Sequence, residues 1–309
     1  MRTSFARLAA YPAMLIYAVP AHAHVGPHEA IYAWNWDPLI LACLALTAVL
    51  YAFGLHRSRH GRARTISRWQ MAAFWSGWII LTVALVSPVH KIGSALFSVH
   101  MGQHTLLMLV ASPLMVMGRP LIAFLWALPQ RWRECVGRFF NRRQVAVTWR
   151  LISAPLAVWV AHAVALWMWH VPQFYSAALE NESVHALQHS IFLVTALLFW
   201  WTLIHGRYGR MGYGIAVLYV FTTAIHSGAL GALLTLADRV WFPIHEGRTA
   251  AWHLSALEDQ QLAGLLMWIP AGLVFIVIGL ALVAAWLGES ERRLAFSRTA
   301  SLQPRRPGA

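Results

Sequence analysis

The chain has 309 residues, 59% of them hydrophobic and only 11% charged, with 17 Trp. Soluble domains carry roughly 25% charged residues, so this composition excludes an ordinary soluble globule and implies an integral membrane protein. A formal charge of +13 points to nucleic acid only where the basic residues form one surface, and their distribution along this chain argues for membrane topology instead.

Residues 1–23, "MRTSFARLAAYPAMLIYAVPAHA", place Arg2 and Arg7 before a short apolar run from Leu8 to Val19, and Ala21-His22-Ala23 fits a small-x-small cleavage pattern. They read as a secretory signal peptide, the alternative being an uncleaved anchor. Cleavage would expose His24, with His28 four residues later. An α-amine and two imidazoles suit Cu(II), although the plain reading of a terminus is a mobile tail. Seven apolar segments follow, at about 37–55, 69–87, 93–118, 151–169, 185–204, 213–236 and 262–287. Each is near the ~20 residues that a hydrocarbon core requires. Backbone groups in lipid must be satisfied internally, so the expected fold is an all-α, polytopic bundle of about seven transmembrane helices.

The loops test that count. With His24 outside, residues 56–68, 119–150, 205–212 and 288–309 face the cytoplasm, and they hold 19 of the 24 basic residues. That is a positive-inside pattern, with the mature N-terminus outside and the C-terminus cytoplasmic. The expected organisation is a signal peptide (1–23), a transmembrane domain (24–287) and a basic cytoplasmic tail (288–309). The tail is expected to be a disordered strip beside anionic lipid.

Cys43 and Cys135 are isolated in sequence, so no thiol pair is available and a metal site must draw on His, Met and carboxylate. There is no glycine-rich phosphate loop, nucleophile elbow or internal repeat, and a non-enzymatic role is expected. The histidines are the informative residues. His100 and His104 lie near the start of the third span, and His185 and His189 at the start of the fifth. Residues four apart share a helix face. The first row continues through Met108, with Met115 a little further round. His170 ends the fourth span, and His90, His245 and His253 fall in loops on the same side. Four His pairs at this spacing occur where composition alone gives about one. His162 and His226, deep in spans, read as hydrogen-bonded packing residues.

Imidazole in a span is costly and faces the bundle interior with a partner. Several imidazoles in one layer call for a shared partner. Copper fits, because thioether suits Cu(I) and imidazole either copper state, with Met101, Met108, Met168 and Met267 within reach. Haem held by a His from each of two helices is the less favoured cofactor. Zinc would need His with Glu or Asp, and the layer has too few acids for calcium or magnesium. The candidate ligands are His100, His104, His185 and His189, then Met108 and His170. Copper transport across the membrane, a haem-binding redox protein and a pure scaffold are the alternatives.

The blocks "HMGQHTLLMLVASPLMVMGRPL", "WMWHVPQFYSAALENESVHALQHSIFLVTALLFWW" and "LEDQQLAGLLMWIPAGLVF" resemble the signature segments of the CtaG family of assembly factors for caa-type cytochrome c oxidase. The resemblance implies a multi-pass protein of the bacterial inner membrane. It also implies copper-linked oxidase maturation, with an oxidase subunit or another copper protein as partner. The family pattern falls on His100, His104, His170, His185 and His189, and on Asp259, Gln260 and Gln261 at the mouth of the seventh span. These last three are expected to orient imidazole N–H groups from outside the ligand set.

Overall fold

The computed structural model describes residues 33–60, 66–206 and 211–302. The expected signal peptide, and with it His24 and His28, lies outside the described residues. The described chain is all helix and turn, with no strand among the described residues. It is a polytopic membrane helix bundle. Among the described residues, six helical stretches are long and apolar enough to cross a bilayer: Pro38–Ser58, Arg68–Val86, Phe97–Met117, Glu182–His205, Tyr213–Thr235 and Ala256–Arg293. A bent pair, Arg143–Ile152 and Pro155–Trp169, with 54° between its halves, makes a seventh when the two halves are counted as one span.

The bend follows from sequence. Pro155 has no N–H to donate and disfavours helical backbone in the residue before it. Ala154 accordingly has ψ 137°, which separates α8 (Arg143–Ile152) from α9 (Pro155–Trp169). The expected straight span at 151–169 is therefore α9 with a tilted lead-in. At the other end, α13 (Ala256–Leu302) begins before the expected 262 and runs on past 287. Residues 288–302, expected to be disordered, are helical.

Two features of α1 (Pro38–His60) and α2 (Arg68–Val86) anchor the Arg-rich end of the bundle. Tyr51 stacks on Phe74 at 3.5 Å between ring centroids, and its hydroxyl donates to Gly118 O at 2.9 Å. Lipid-facing positions stay apolar: Leu39, Leu46, Val49, Ile225, Ile276 and Leu280 are all exposed. This is the surface a bilayer solvates.

The third span is not one regular helix. It runs as α4 (Phe97–Thr105), a π-helical segment (Leu106–Ala111) and α5 (Ser112–Met117). The π register sends the Ser112 N–H to Leu107 O. With Ser112 N–H drawn to Leu107 O, the same register turns Met108 O toward residue 113, and Pro113 has no N–H to give it. Trp200 Nε1, on α11 (Glu182–His205), donates to it at 2.8 Å instead.

α12 (Tyr213–Thr235) and α13 cross closely through glycine. A Cβ on Gly264 would stand 2.6 Å from both Gly231 O and Thr235 N. Small residues at such crossings let backbones pack directly. Gly264→Val is expected to destabilise the bundle by about 1–3 kcal/mol through overpacking, read as a lower thermal midpoint in detergent. An unchanged midpoint would mean that the crossing is slack.

Candidate metal centre

The site lies at the end of the bundle away from the Arg-rich loops, and local sequence builds each wall. α11 starts at Asn181, whose side chain accepts from Ser183 N at 2.9 Å and Val184 N at 3.2 Å. His185 and His189 follow on its first two turns. The short α3 (Pro88–Gly93) is capped by Ser87 and begins on a proline, which suits the first helical position. Gly93 lets α3 lie against α4, since a Cβ there would meet His100 Cα at 3.3 Å. This fold-back carries His90 over the other imidazoles.

The first turn of α4 has no side-chain cap of its own. Asp259, fully buried on α13, supplies one. Its carboxylate accepts from Phe97 N at 2.6 Å and Ser98 N at 3.1 Å, and the Ser98 hydroxyl donates to it as well. A carboxylate at a helix N-terminus satisfies orphan N–H groups and complements the helix dipole. This fixes the turn that bears His100.

Five imidazoles meet: His90, His100, His104, His185 and His189, all buried. Ring centroids are 4.4 Å apart for His100–His104, 4.5 Å for His185–His189, 5.0 Å for His104–His189 and 5.0 Å for the stacked pair His90–His185. His100 also stacks on His185 at 5.3 Å. Two overlapping triads have ring nitrogens within 4.8 Å of one another: His90, His185 and His189, and His100, His104 and His189. His189 belongs to both.

Among the described residues, both ring nitrogens of His100, His104 and His189, and Nε2 of His185, are buried without a hydrogen-bond partner. Buried polar atoms are normally paired, and orphaned ones are costly. So many at one point fit a cation that takes imidazole lone pairs. His90 differs. Gln103 Nε2 donates to Ala84 O at 2.7 Å and lies 3.2 Å from His90 Nδ1. Burial, reinforced by Lys91, holds the His90 imidazole below its ordinary range against the pull of Glu182 and Asp37.

A buried aromatic layer of Phe97, Tyr175 and Phe242 closes one side of the cluster. Tyr175, on α10 (Pro172–Glu180), packs edge-on against His100 at 5.3 Å. Its hydroxyl lies 2.9 Å from His245 Nε2, and His245 Nδ1 lies 3.0 Å from Ala95 O. A carbonyl only accepts, so His245 donates through Nδ1 and accepts the tyrosine proton at Nε2. Burial pushes Tyr175 up, and the charge of Asp259 adds to this against Arg248. Burial lowers His245, with the Ala95 hydrogen bond and Asp259 opposing.

The structure thus brings together His100, His104, His185 and His189 and adds His90, which sequence reasoning left in a loop. His170 sits apart from both triads: Nδ1 is 2.6 Å from Leu166 O and Nε2 is 3.2 Å from Met101 Sδ. Met108 lines a separate cavity beside His104 and His170. The expected role of Asp259, Gln260 and Gln261 is corrected, because their hydrogen bonds go to backbone groups and the Ser98 hydroxyl, and none goes to an imidazole. Asp259 caps α4. Gln260 accepts from Trp241 N at 2.7 Å and donates to Arg239 O at 3.1 Å. Gln261 donates to Ala237 O at 2.9 Å. Of the two deep histidines, His162 lies 3.4 Å from Thr195 Oγ1, whereas both ring nitrogens of His226 lack a partner among the described residues.

Residues 49–289 match a family model described as cytochrome c oxidase caa3 assembly factor. The uncharacterized proteins Mb0105 of Mycobacterium bovis and MT0111 of Mycobacterium tuberculosis are each 27% identical to the chain over 297 residues. ML1998 of Mycobacterium leprae is 24% identical over 300 residues. Each match takes in 93% of this chain and 44% of the relative, so the chain spans less than half the length of these curated relatives. No solved structure matches the chain.

Proposed function

Because the chain belongs to the family of cytochrome c oxidase caa3 assembly factors, we propose that it matures a respiratory oxidase in the bacterial cell membrane by holding copper at the imidazole cluster and passing it to an oxidase component. One observation carries this reading: the convergence of orphaned, buried ring nitrogens on His100, His104, His185 and His189. Imidazole binds copper in either oxidation state.

The two triads share His189. An ion can therefore move from one to the other by ligand exchange without being released. His90 is the weaker donor, since Gln103 already engages its Nδ1. The inner triad has no such competition, which favours transfer toward His100 and His104. We place the cluster at the outer face and the Arg-rich loops in the cytoplasm, on the positive-inside distribution of Arg57, Arg68, Arg119 and the arginines of 131–150. Charge is costly in the bilayer, and neutral imidazoles carry none until the ion arrives.

Elemental analysis of the purified protein, supplied with copper and zinc in equal amounts, tests the reading. Copper is expected to be retained after desalting. A preparation that holds no metal, or zinc alone, would overturn it.

A further inference from the structure

Beyond the imidazole cluster, a second pair of soft donors faces inward. His170 Nδ1 is 2.6 Å from Leu166 O. A carbonyl oxygen only accepts, so Nδ1 carries the proton and Nε2 keeps its lone pair. That lone pair points at Met101 Sδ, 3.2 Å away, and a thioether sulfur has no proton to give. Two buried acceptors facing each other at this distance gain nothing from hydrogen bonding. Atoms bonded to one ion at roughly 2.0 Å (nitrogen) and 2.3 Å (sulfur) stand about 3.2 Å apart when the angle between them is close to a right angle.

The surroundings supply the rest of a site. Met101 and His170 line a cavity of about 50 Å³ together with His104, Met108, His162 and Met267. A cavity needs only ~10–15 Å³ to hold one water-sized guest. Its donors are imidazole and thioether, with no carboxylate and no thiol among the lining residues, and its hydroxyls on Thr105, Thr223 and Ser227 are each already bonded to a backbone carbonyl. Such a set prefers a soft monovalent ion to zinc, calcium or magnesium. His104 is common to this cavity and to the inner triad.

We propose that Met101 and His170, with Met108 and Met267 beside them, form a second site for a soft monovalent cation, next in line after the His100–His104–His189 triad. The choice of Cu(I) as the ion rests on the copper reading above, while the donor geometry stands without it. The protein would then hold two ions in series, one ligated by nitrogen alone and one by nitrogen and sulfur, with His104 as the hinge between them.

X-ray absorption and stoichiometry of the full chain, purified in detergent and loaded anaerobically with Cu(I), test this. The wild type is expected to bind about two ions and to show a sulfur neighbour at roughly 2.3 Å beside nitrogen. Met101→Leu, which keeps the volume, is expected to drop the stoichiometry to about one and remove the sulfur signal. The double variant His185→Ala/His189→Ala is expected to keep the sulfur-bound ion. A wild type with a nitrogen-only shell, or a Met101→Leu protein with unchanged sulfur signal, would overturn the second site and leave the cluster standing. A chain that binds no Cu(I) would overturn both.

Discussion

Replacing His104 and His189 together by alanine is expected to abolish copper retention at the imidazole cluster and with it the yield of active oxidase in copper-limited cells. The two residues supply two of the three nitrogens of the inner triad, and His189 also serves the outer one. Losing outer-shell partners of a metal ligand typically costs 10–100-fold in affinity, so losing the ligands themselves should exceed roughly a hundredfold. The folded state should survive. In the apo protein these ring nitrogens are orphaned, so their removal relieves a desolvation penalty that partly offsets the cavity left behind. The signature is therefore specific. Wild-type protein gains about 2.7 kcal/mol at a copper concentration a hundredfold above Kd, visible as a raised melting temperature. Supplied with Cu(II), which the thioether-containing site does not favour, the variant should melt near the wild-type apo temperature and gain nothing. Equal copper-dependent gains in both proteins, with normal oxidase yield, would remove the cluster from the mechanism.

Asp259→Ala is expected to be the most destabilising single change at this end of the bundle. The carboxylate is the acceptor for Phe97 N, Ser98 N and the Ser98 hydroxyl, all in a fully buried setting. Each buried donor left without a partner costs about 1–3 kcal/mol, so losing all three acceptor contacts costs about 3–9 kcal/mol. Asp259→Asn keeps one acceptor oxygen but turns an amide N–H₂ toward the others, and should fall between wild type and alanine. Because α4 loses its cap, its first turn should open, and His100 moves with it. Hydrogen exchange at residues 97–100 should rise sharply in Asp259→Ala, and copper affinity should fall although Asp259 contacts no ring nitrogen. Unaltered exchange in that turn would show that the cap is dispensable.

The bundle was largely legible in sequence because each span is long and apolar, and the two His pairs were legible because spacing of four survives in any α-helix. What could not be read is tertiary. His90 has no helical partner in sequence, and only the fold-back of α3 across Gly93 brings it to His185. His170 lies at the expected end of its span, but the carbonyl of Leu166 aims it at Met101 instead of at the other imidazoles. Asp259 looks like a polar partner for histidines, yet backbone N–H groups at an uncapped helix start are the stronger claim on a carboxylate. The row His100–His104–Met108 assumed an unbroken α-helix, and Pro113 breaks that assumption from beyond the row.

The π-helical segment of the third span is, in effect, one surplus residue. Each residue turns an α-helix by about 100°, so this insertion sets the angular phase between the imidazoles above it and the packing face below it, where Gly77 of α2 lies against Ala111, Leu114 and Met115. The aim of His100 and His104 is thus encoded by the length of the chain as much as by the identity of its residues. Trp200 acts as the pin of this indexing device, holding the Met108 carbonyl that the surplus residue sets free. Chain length here is a coordinate of the metal centre, and drift in it would misdirect ligands that remain individually intact.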